Sequence, residues 1–516
     1  MTPKYDVVVV GAGSAGAAVA ARLSEDPNRS ILLLEAGPDY RTPPLALTSL
    51  DPYDAVTDAV GYTYSGLESR RTAVQPPTPL ARGRGVGGSS AINGLFAVRP
   101  TVEDLDGWAA TGAQGWSFTE LLPLLVRMES DADFGAAPIH GNTGPIPIVR
   151  PTPDDLLPVD VAFRQAALDL GHADEPDHNA PKTSGISPYA YNAVGGRRVS
   201  TNDAYLAPAR HRPNLTVLGE ATVDRVLISG GRAIGVRVVR GGKAEELHCG
   251  EVVVSAGAIH SPAVLLRSGI GPAGDLCALG VSVVSDLPVG QHLQDHPMVG
   301  IELDLHPGAS PQPAGTRHAR LCLRYGLGQT VEPVDAMVSL ANFAAHQDHA
   351  TVYGWLNRVV STGHIALTSL DPFAHPAVES NLLAEPADMR RMLTMIRDMG
   401  ALARQPALRS LWAAAGLTGR DGKRGDLALL DGVDRDLEHF VRANVGDAAH
   451  ISGTCRMGSQ ADSSVVVDPH CRVLGVDGLR VADASVFPWV PSANTHLSAV
   501  LVGEQVAASM LGPDAA

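Results

Sequence analysis

Apolar and polar positions alternate along the chain in blocks that predict a repeated strand–turn–helix unit. Residues 5–10, YDVVVV, form an unbroken β-branched run, the pattern of a strand buried on both faces. Small residues follow at once in GAGSAGAAVAARLSE (11–25), a helix-compatible stretch, and SILLLEAG (30–37) reads as a second buried strand. Two strand-like runs, NLTVLGEATVDRVLI (214–228) and AIGVRVVR (233–240), lead to EVVVSAGAIHSPAVLLRSGIG (251–271), again strand, glycine turn and helix. Near the end, GLRVADASV (478–486) predicts one more buried strand. THLSAVLVGEQVAASML (495–511) predicts a helix apolar enough to lie against a sheet.

The pattern changes elsewhere. Residues 40–80 are turn-rich, and about 300–440 breaks into mixed amphipathic pieces, among them a predicted helix over PADMRRMLTMIRDMGALARQ (386–405). Units of one kind at the start, middle and end predict one α/β nucleotide-binding domain assembled from residues 1–150, 210–290 and 444–516. A second, α+β domain is expected from 151–209 and 291–443.

Composition narrows the function classes. At 516 residues, 45% hydrophobic and 18% charged, the chain has the makeup of a globular protein of two domains. A net charge of −15 argues against a nucleic-acid partner. Five cysteines, scattered and odd in number, suggest neither a disulfide framework nor a zinc site and favour a reducing compartment. A strand that begins by residue 5 leaves no room for a signal peptide, and the longest apolar run, residues 7–21, is too short to span a bilayer. The expectation is a cytoplasmic protein with no membrane span.

Gly11, Gly13 and Gly16 form G-x-G-x-x-G between the first strand and its helix. The first glycine permits the tight turn, the second a close approach to pyrophosphate, and the third helix–strand packing. Glu35, ending the second strand, is placed to hydrogen-bond a ribose hydroxyl, which disfavours NADP but leaves NAD and FAD open. A second segment, GRGVGGSSAINGLFAVRP (83–100), offers bare amides and hydroxyls to a planar polar ligand. HQDH, with His346, Asp348 and His349, lacks further ligands, so no metal is expected there.

These blocks resemble the glucose–methanol–choline (GMC) flavoprotein oxidoreductases along essentially the whole chain. ARGRGVGGSSAINGLFAVRPTVEDLDGWAATGAQGWSF is similar to that family's first signature block and GAIHSPAVLLRSGIG to its second. APIHGNTGPIPI, HISGTCRMG and GLRVADASVFPWVPSANTHLSAVLVGEQVA follow in the expected order. Within the family, the chain looks most like bacterial primary-alcohol oxidases of the hydroxymethylfurfural type and related alcohol dehydrogenases.

The resemblance implies FAD and a GMC fold, a Rossmann-type cofactor domain with an inserted substrate domain. It implies cofactor contacts from Gly11, Gly13, Ser14, Gly16, Glu35 and Ala36, and from Arg84, Gly87, Gly88, Ser89, Asn93 and Gly94. Val223, Ala256, Gly257, Asp483, Ala484, Thr495 and His496 complete that set. His450 is then the base that takes the alcohol proton while hydride passes to flavin N5, and Asn494 holds the substrate oxygen. Some relatives attach FAD through a histidine in the glycine-rich loop. Ile92 stands at that position, so the FAD is expected to be non-covalent. Ala448 and Ala449, small where relatives carry bulk, are expected to leave room in the pocket for a larger alcohol. The expected partners are a small alcohol and an electron acceptor, O2 or a redox carrier. Two alternatives stay open: an oxygen-inert dehydrogenase that recycles a reduced carrier, and a non-redox lyase.

Overall fold

The computed structural model describes residues 5–56, 61–181, 184–313, 315–327, 334–343 and 348–512. Two sheets organise it. In the first, the strands run in the order Leu215–Leu218, Ile31–Leu34, Tyr5–Val10, Lys243–Val254, Arg232–Arg240 and Ala221–Ser229, and Leu479–Val481 also pairs with Lys243–Val254. The pairings around Tyr5–Val10 are parallel, with Val8 opposite both Leu32 and Val252. Val8, Val9, Leu32 and Val252 are all fully buried, as strands covered on both faces require. Arg232–Arg240 and its neighbours form an antiparallel meander on one side.

The predicted helix after the first glycine turn is Ser14–Leu23, and the last helix is Thr495–Leu511. The two pack against each other at backbone distance: a Cβ added at Gly503 would stand 2.5 Å from the Ala15 carbonyl oxygen. An ion pair between Arg22 and the buried Glu504 (2.9 Å), with the Tyr205 hydroxyl donating to Glu504 (2.7 Å), ties the same helices together.

The second sheet is antiparallel and lies mostly in the stretch read from sequence as mixed pieces. Its order is Gly425–Asp426, Trp412–Leu417, Pro297–Leu305, His349–Leu356, Ala336–Asn342, Ala319–Tyr325 and Gly185–Pro188, with Gly446–Asp447 added beside Pro297–Leu305. That last pairing keeps the chain in the second sheet as far as Asp447, slightly beyond the expected return at 444. The helix Pro386–Ala403 buries Met389, Met392, Met395, Ile396 and Met399 in this sheet's core. The strand expected over 478–486 is shorter than its apolar run, Leu479–Val481, because Asp483 turns the chain into a 3-10 turn by accepting from the Ser485 amide at 2.8 Å. Among the described residues, no helix is long and apolar enough to cross a membrane.

Candidate active site

A cavity of about 1170 Å³ runs from the glycine turns at the edge of the first sheet to the face of the second. It exceeds the usual range for small-ligand pockets, roughly 300–1,000 Å³. At one end the chain leaves Tyr5–Val10 through Gly11, whose φ of +99° and proximity to Ser255 exclude a side chain; an added Cβ would lie 2.4 Å from the Ser255 carbonyl oxygen. Gly13 faces open space within the cavity wall. Glu35 is buried beside it and accepts from the amides of Ala12 (2.9 Å), Gly37 (2.8 Å) and Gly85 (3.1 Å). These bonds bind the first glycine turn, the end of the second strand and the glycine-rich loop to one carboxylate.

Arg84 donates to the Ala36 carbonyl (2.9 Å) and to Glu220 (3.0 Å), while Asn93 accepts from Arg198 at 2.8 Å. Opposite, Asp483 accepts from the Gly257 amide (2.9 Å) and the Ser261 hydroxyl (2.5 Å), which joins the second signature turn to the returning C-terminal segment. Gly11, Gly13, Ser14, Glu35, Ala36, Arg84, Gly88, Ser89, Asn93 and Gly94 line the cavity, as do Val223, Ala256, Gly257, Asp483, Ala484, Thr495 and His496. Gly16 and Gly87 lie behind the wall. An added Cβ on Gly16 would come within 2.0 Å of the Gly11 carbonyl oxygen, and the Gly87 amide donates to the Ala12 carbonyl (2.8 Å), so both serve close packing of backbone.

Toward the second sheet the cavity is lined by His450, Asn494, Ala448 and Ala449. Asn494 caps the Thr495–Leu511 helix with extended backbone, yet its side chain makes no capping bond and its Oδ1 is buried with no partner. A buried amide oxygen in that state costs stability unless a ligand supplies a donor. The helix start beside it directs the positive end of the helix dipole at the cavity. His496, in the helix's first turn, accepts from or donates to Ser14 Oγ through Nδ1 at 3.1 Å, and burial pulls its pKa down to about 4.

His450 sits in a shell of residues that sequence reasoning did not find. Its backbone amide donates to Asp295 (2.8 Å), its Nδ1 lies 2.9 Å from Nδ1 of His296, and Trp355 meets its ring edge-on with 5.9 Å between centroids. Burial, then the neighbouring His296 and Arg82, hold the His450 imidazole well below its ordinary range, so it is neutral at physiological pH. Asp295 is pushed up by burial and by nearby Asp447. Asp295 and His296 stand in VGQHLQDHP, a segment with no hydropathy period; its adjacent acid and imidazole were the one available signal.

Two other clusters of ligand-type residues have different roles. His346 lies outside the described residues, and His349 pairs with Asp304 at 2.9 Å at the exposed ends of two central strands of the second sheet. Glu129, Asp131 and His140 converge in a buried group, but the arginines Arg99 (2.6 Å from Glu129) and Arg150 (2.9 Å from Asp131) occupy the positions of the counter-charges.

The residues present fit a dinucleotide: a glycine cradle, a buried acid, a helix N-terminus and an unsatisfied amide share one cavity. Comparison with known proteins agrees. The GMC oxidoreductase family models match residues 5–298 and 359–503. The chain is 37% identical to the 5-(hydroxymethyl)furfural oxidase of Methylovorus sp. (strain MP688) over 98% of both chains. It is 34% identical to the oxygen-dependent choline dehydrogenase of Burkholderia multivorans over 99% of this chain and 94% of that one. The crystal structure of pyridoxine 4-oxidase from Mesorbium loti superposes with a TM-score of 0.88 at 28% identity, covering 98% of each chain. The chain therefore belongs to the GMC oxidoreductase family, as an FAD-dependent enzyme that oxidises alcohols.

Proposed function

We propose that the enzyme oxidises a planar, aromatic-type primary alcohol to its aldehyde, with His450 as the base and Asn494 as the group that orients the substrate oxygen. The observation that carries this reading is the placement of a neutral histidine and an unpartnered amide oxygen on the cavity that also holds the glycine cradle. Bound FAD supplies the acceptor for the hydride that leaves the alcohol carbon. His450 takes the hydroxyl proton; being neutral, it has the lone pair that this needs. The Asn494 amide fixes that oxygen by donating its Nδ2–H to it, and the helix beginning at Thr495 stabilises negative charge at the same end of the cavity.

Phe96, Tyr353 and Trp355 line the substrate end and suit a flat ring. The relatives named for hydroxymethylfurfural and pyridoxine, both ring-bearing alcohols, support that choice. Ala448 and Ala449 leave space beside it. Ile92, buried at the cavity wall, has no nucleophile to offer, which supports non-covalent FAD. Oxygen is the proposed electron acceptor, since two of these relatives are named as oxidases and a third as oxygen-dependent. In this reading residues 1–150, 210–290 and 444–516 hold the cofactor, and 151–209 with 291–443 shape the substrate pocket. All five cysteines are free thiols, which supports a cytoplasmic setting.

The test is anaerobic mixing of the purified enzyme with benzyl, furfuryl and aliphatic alcohols, with flavin absorbance followed by stopped flow, then admission of air. Bleaching by the ring-bearing alcohols and rapid recovery of colour in air are expected. His450→Ala should slow bleaching by roughly 10²–10⁴-fold. Bleaching of that variant at the normal rate removes His450 as base.

A further inference from the structure

Two imidazoles meet nitrogen to nitrogen at the wall of the cavity. Nδ1 of His296 is 2.9 Å from Nδ1 of His450, and the rings stand at 84° to each other. Two neutral rings at this distance share one proton: one Nδ1 carries it and the other accepts it. If His296 donates, the only proton of neutral His450 sits on Nε2, and His450 has no lone pair left for substrate. If His450 donates, its Nε2 is free to act as a base.

The surroundings of His296 decide between these. The side chain is fully buried and its Nε2 makes no hydrogen bond of normal geometry, while the backbone carbonyls of Asn357 and Pro491 lie close enough to the ring to favour a proton on it. With Nδ1 turned toward His450, that proton belongs on Nε2, which leaves Nδ1 of His296 as an acceptor. Asp295 holds the pair in register, because its Oδ1 accepts the backbone amides of both His296 and His450, each at 2.8 Å. The charged groups packed around the pair are Asp295, Asp447 and Arg82, with Arg71 ion-paired to Asp447. None of them bonds to either imidazole ring among the described contacts, so the histidines set each other's protonation.

We propose that His296 is a positioning residue for alcohol oxidation: by accepting the Nδ1–H of His450, it holds His450 in the tautomer whose Nε2 is the base. This rests on His450 being the base. During the reaction the O–H proton moves to Nε2 of His450, hydride leaves the carbon for the flavin, and a C=O bond forms. His450 becomes an imidazolium whose Nδ1–H still points at a lone pair on His296, so no proton crosses between the rings.

The test compares His296→Phe, which removes the acceptor, with His296→Asn, whose amide oxygen can stand near the Nδ1 position. Flavin content, substrate Kd and the flavin reduction rate are measured for each, beside His450→Ala. His296→Phe is expected to reduce flavin roughly a hundredfold more slowly with Kd little changed, and His296→Asn to recover most of the rate. A normal rate in His296→Phe, or a His296→Asn enzyme as slow as His296→Phe, overturns the proposal. A normal rate in His450→Ala would instead overturn the reading of the base. A readout independent of turnover is 15N NMR of ring-labelled histidine in the unsubstituted protein, with the His450 signals identified by their loss in His450→Ala. An unprotonated Nε2 on His450 is expected, and a protonated one overturns the proposal even where a variant fails to fold.

Discussion

The Ser14 hydroxyl and Nδ1 of His496 lie 3.1 Å apart although 482 positions separate them in the chain. The bond joins the first turn of the first helix to the first turn of the last, on the wall of the cofactor cavity. We propose that both side chains act on the cradle rather than on the reacting alcohol. Ser14→Ala should therefore weaken FAD binding about five- to tenfold, the worth of about one hydrogen bond, and leave the rate of reduction of bound flavin nearly unchanged. Titration of apoprotein by flavin fluorescence quenching checks the first part, and stopped flow the second.

The pH dependence of flavin reduction should have no limb near neutrality. A free histidine titrates near ~6.5, but burial, His296 and Arg82 push His450 well below that. A lowered pKa keeps the base neutral, and so active, until the solution is clearly acidic. The reduction rate is expected to be flat from about pH 6 to pH 8 and to fall only on the acid side. Stopped-flow rates across that range decide it, and a midpoint near 7 would sink the assignment.

Ala448 lines the cavity beside His450, and a larger residue there should cost wide substrates more than narrow ones. Ala448→Phe is expected to raise KM for ring-bearing or secondary alcohols by at least ~10-fold while small primary alcohols are little affected. The measurement is kcat/KM across a graded alcohol series.

The buried group around His140 makes stability depend on alkaline pH. Burial lowers the His140 pKa, but its hydrogen bonds to Asp177 and Glu129 outweigh that and place it at about 9. That is above the unfolded value of ~6.5, so the charged ring stabilises the fold fully below about pH 6.5, and the contribution fades as pH rises through about 9. Thermal unfolding should shift down between pH 7 and 9.5 in the unsubstituted enzyme, and less so in a His140→Gln variant of lower starting stability.

How much of this was legible in the sequence follows from where the signal is local. The cofactor half reads directly, because its strands are continuous β-branched runs and its turns carry glycines whose neighbours exclude a side chain, as at Gly11 against Ser255. The second sheet did not read as strands. Ala336–Asn342 and Ala319–Tyr325 are buried at every position, so neither shows the alternation of a half-exposed strand, and Arg320 and Arg324 break the apolar pattern of the latter. At the site, His450 and Asn494 stand in recognisable blocks. His296 reaches His450 from 154 positions away, and Asp295 belongs to the same segment without periodicity; Arg82 opens the first signature block, yet only the tertiary fold brings it to His450.

The packing of the Ser14–Leu23 helix on the Thr495–Leu511 helix sets an order for biogenesis. The turn at Gly11–Gly13 and the segment that closes the cradle over it, Asn494–His496, are far apart in the chain, with 482 positions between Ser14 and His496, so the first is translated long before the second. Strand Tyr5–Val10 likewise waits for Lys243–Val254 before it has a partner on that side. A nascent chain that stops short of Asn494 cannot complete the flavin site, so FAD capture waits until that segment has emerged. An early stop codon anywhere before the final helix removes Asn494 and the helix that closes the cradle, so truncated products should be colourless.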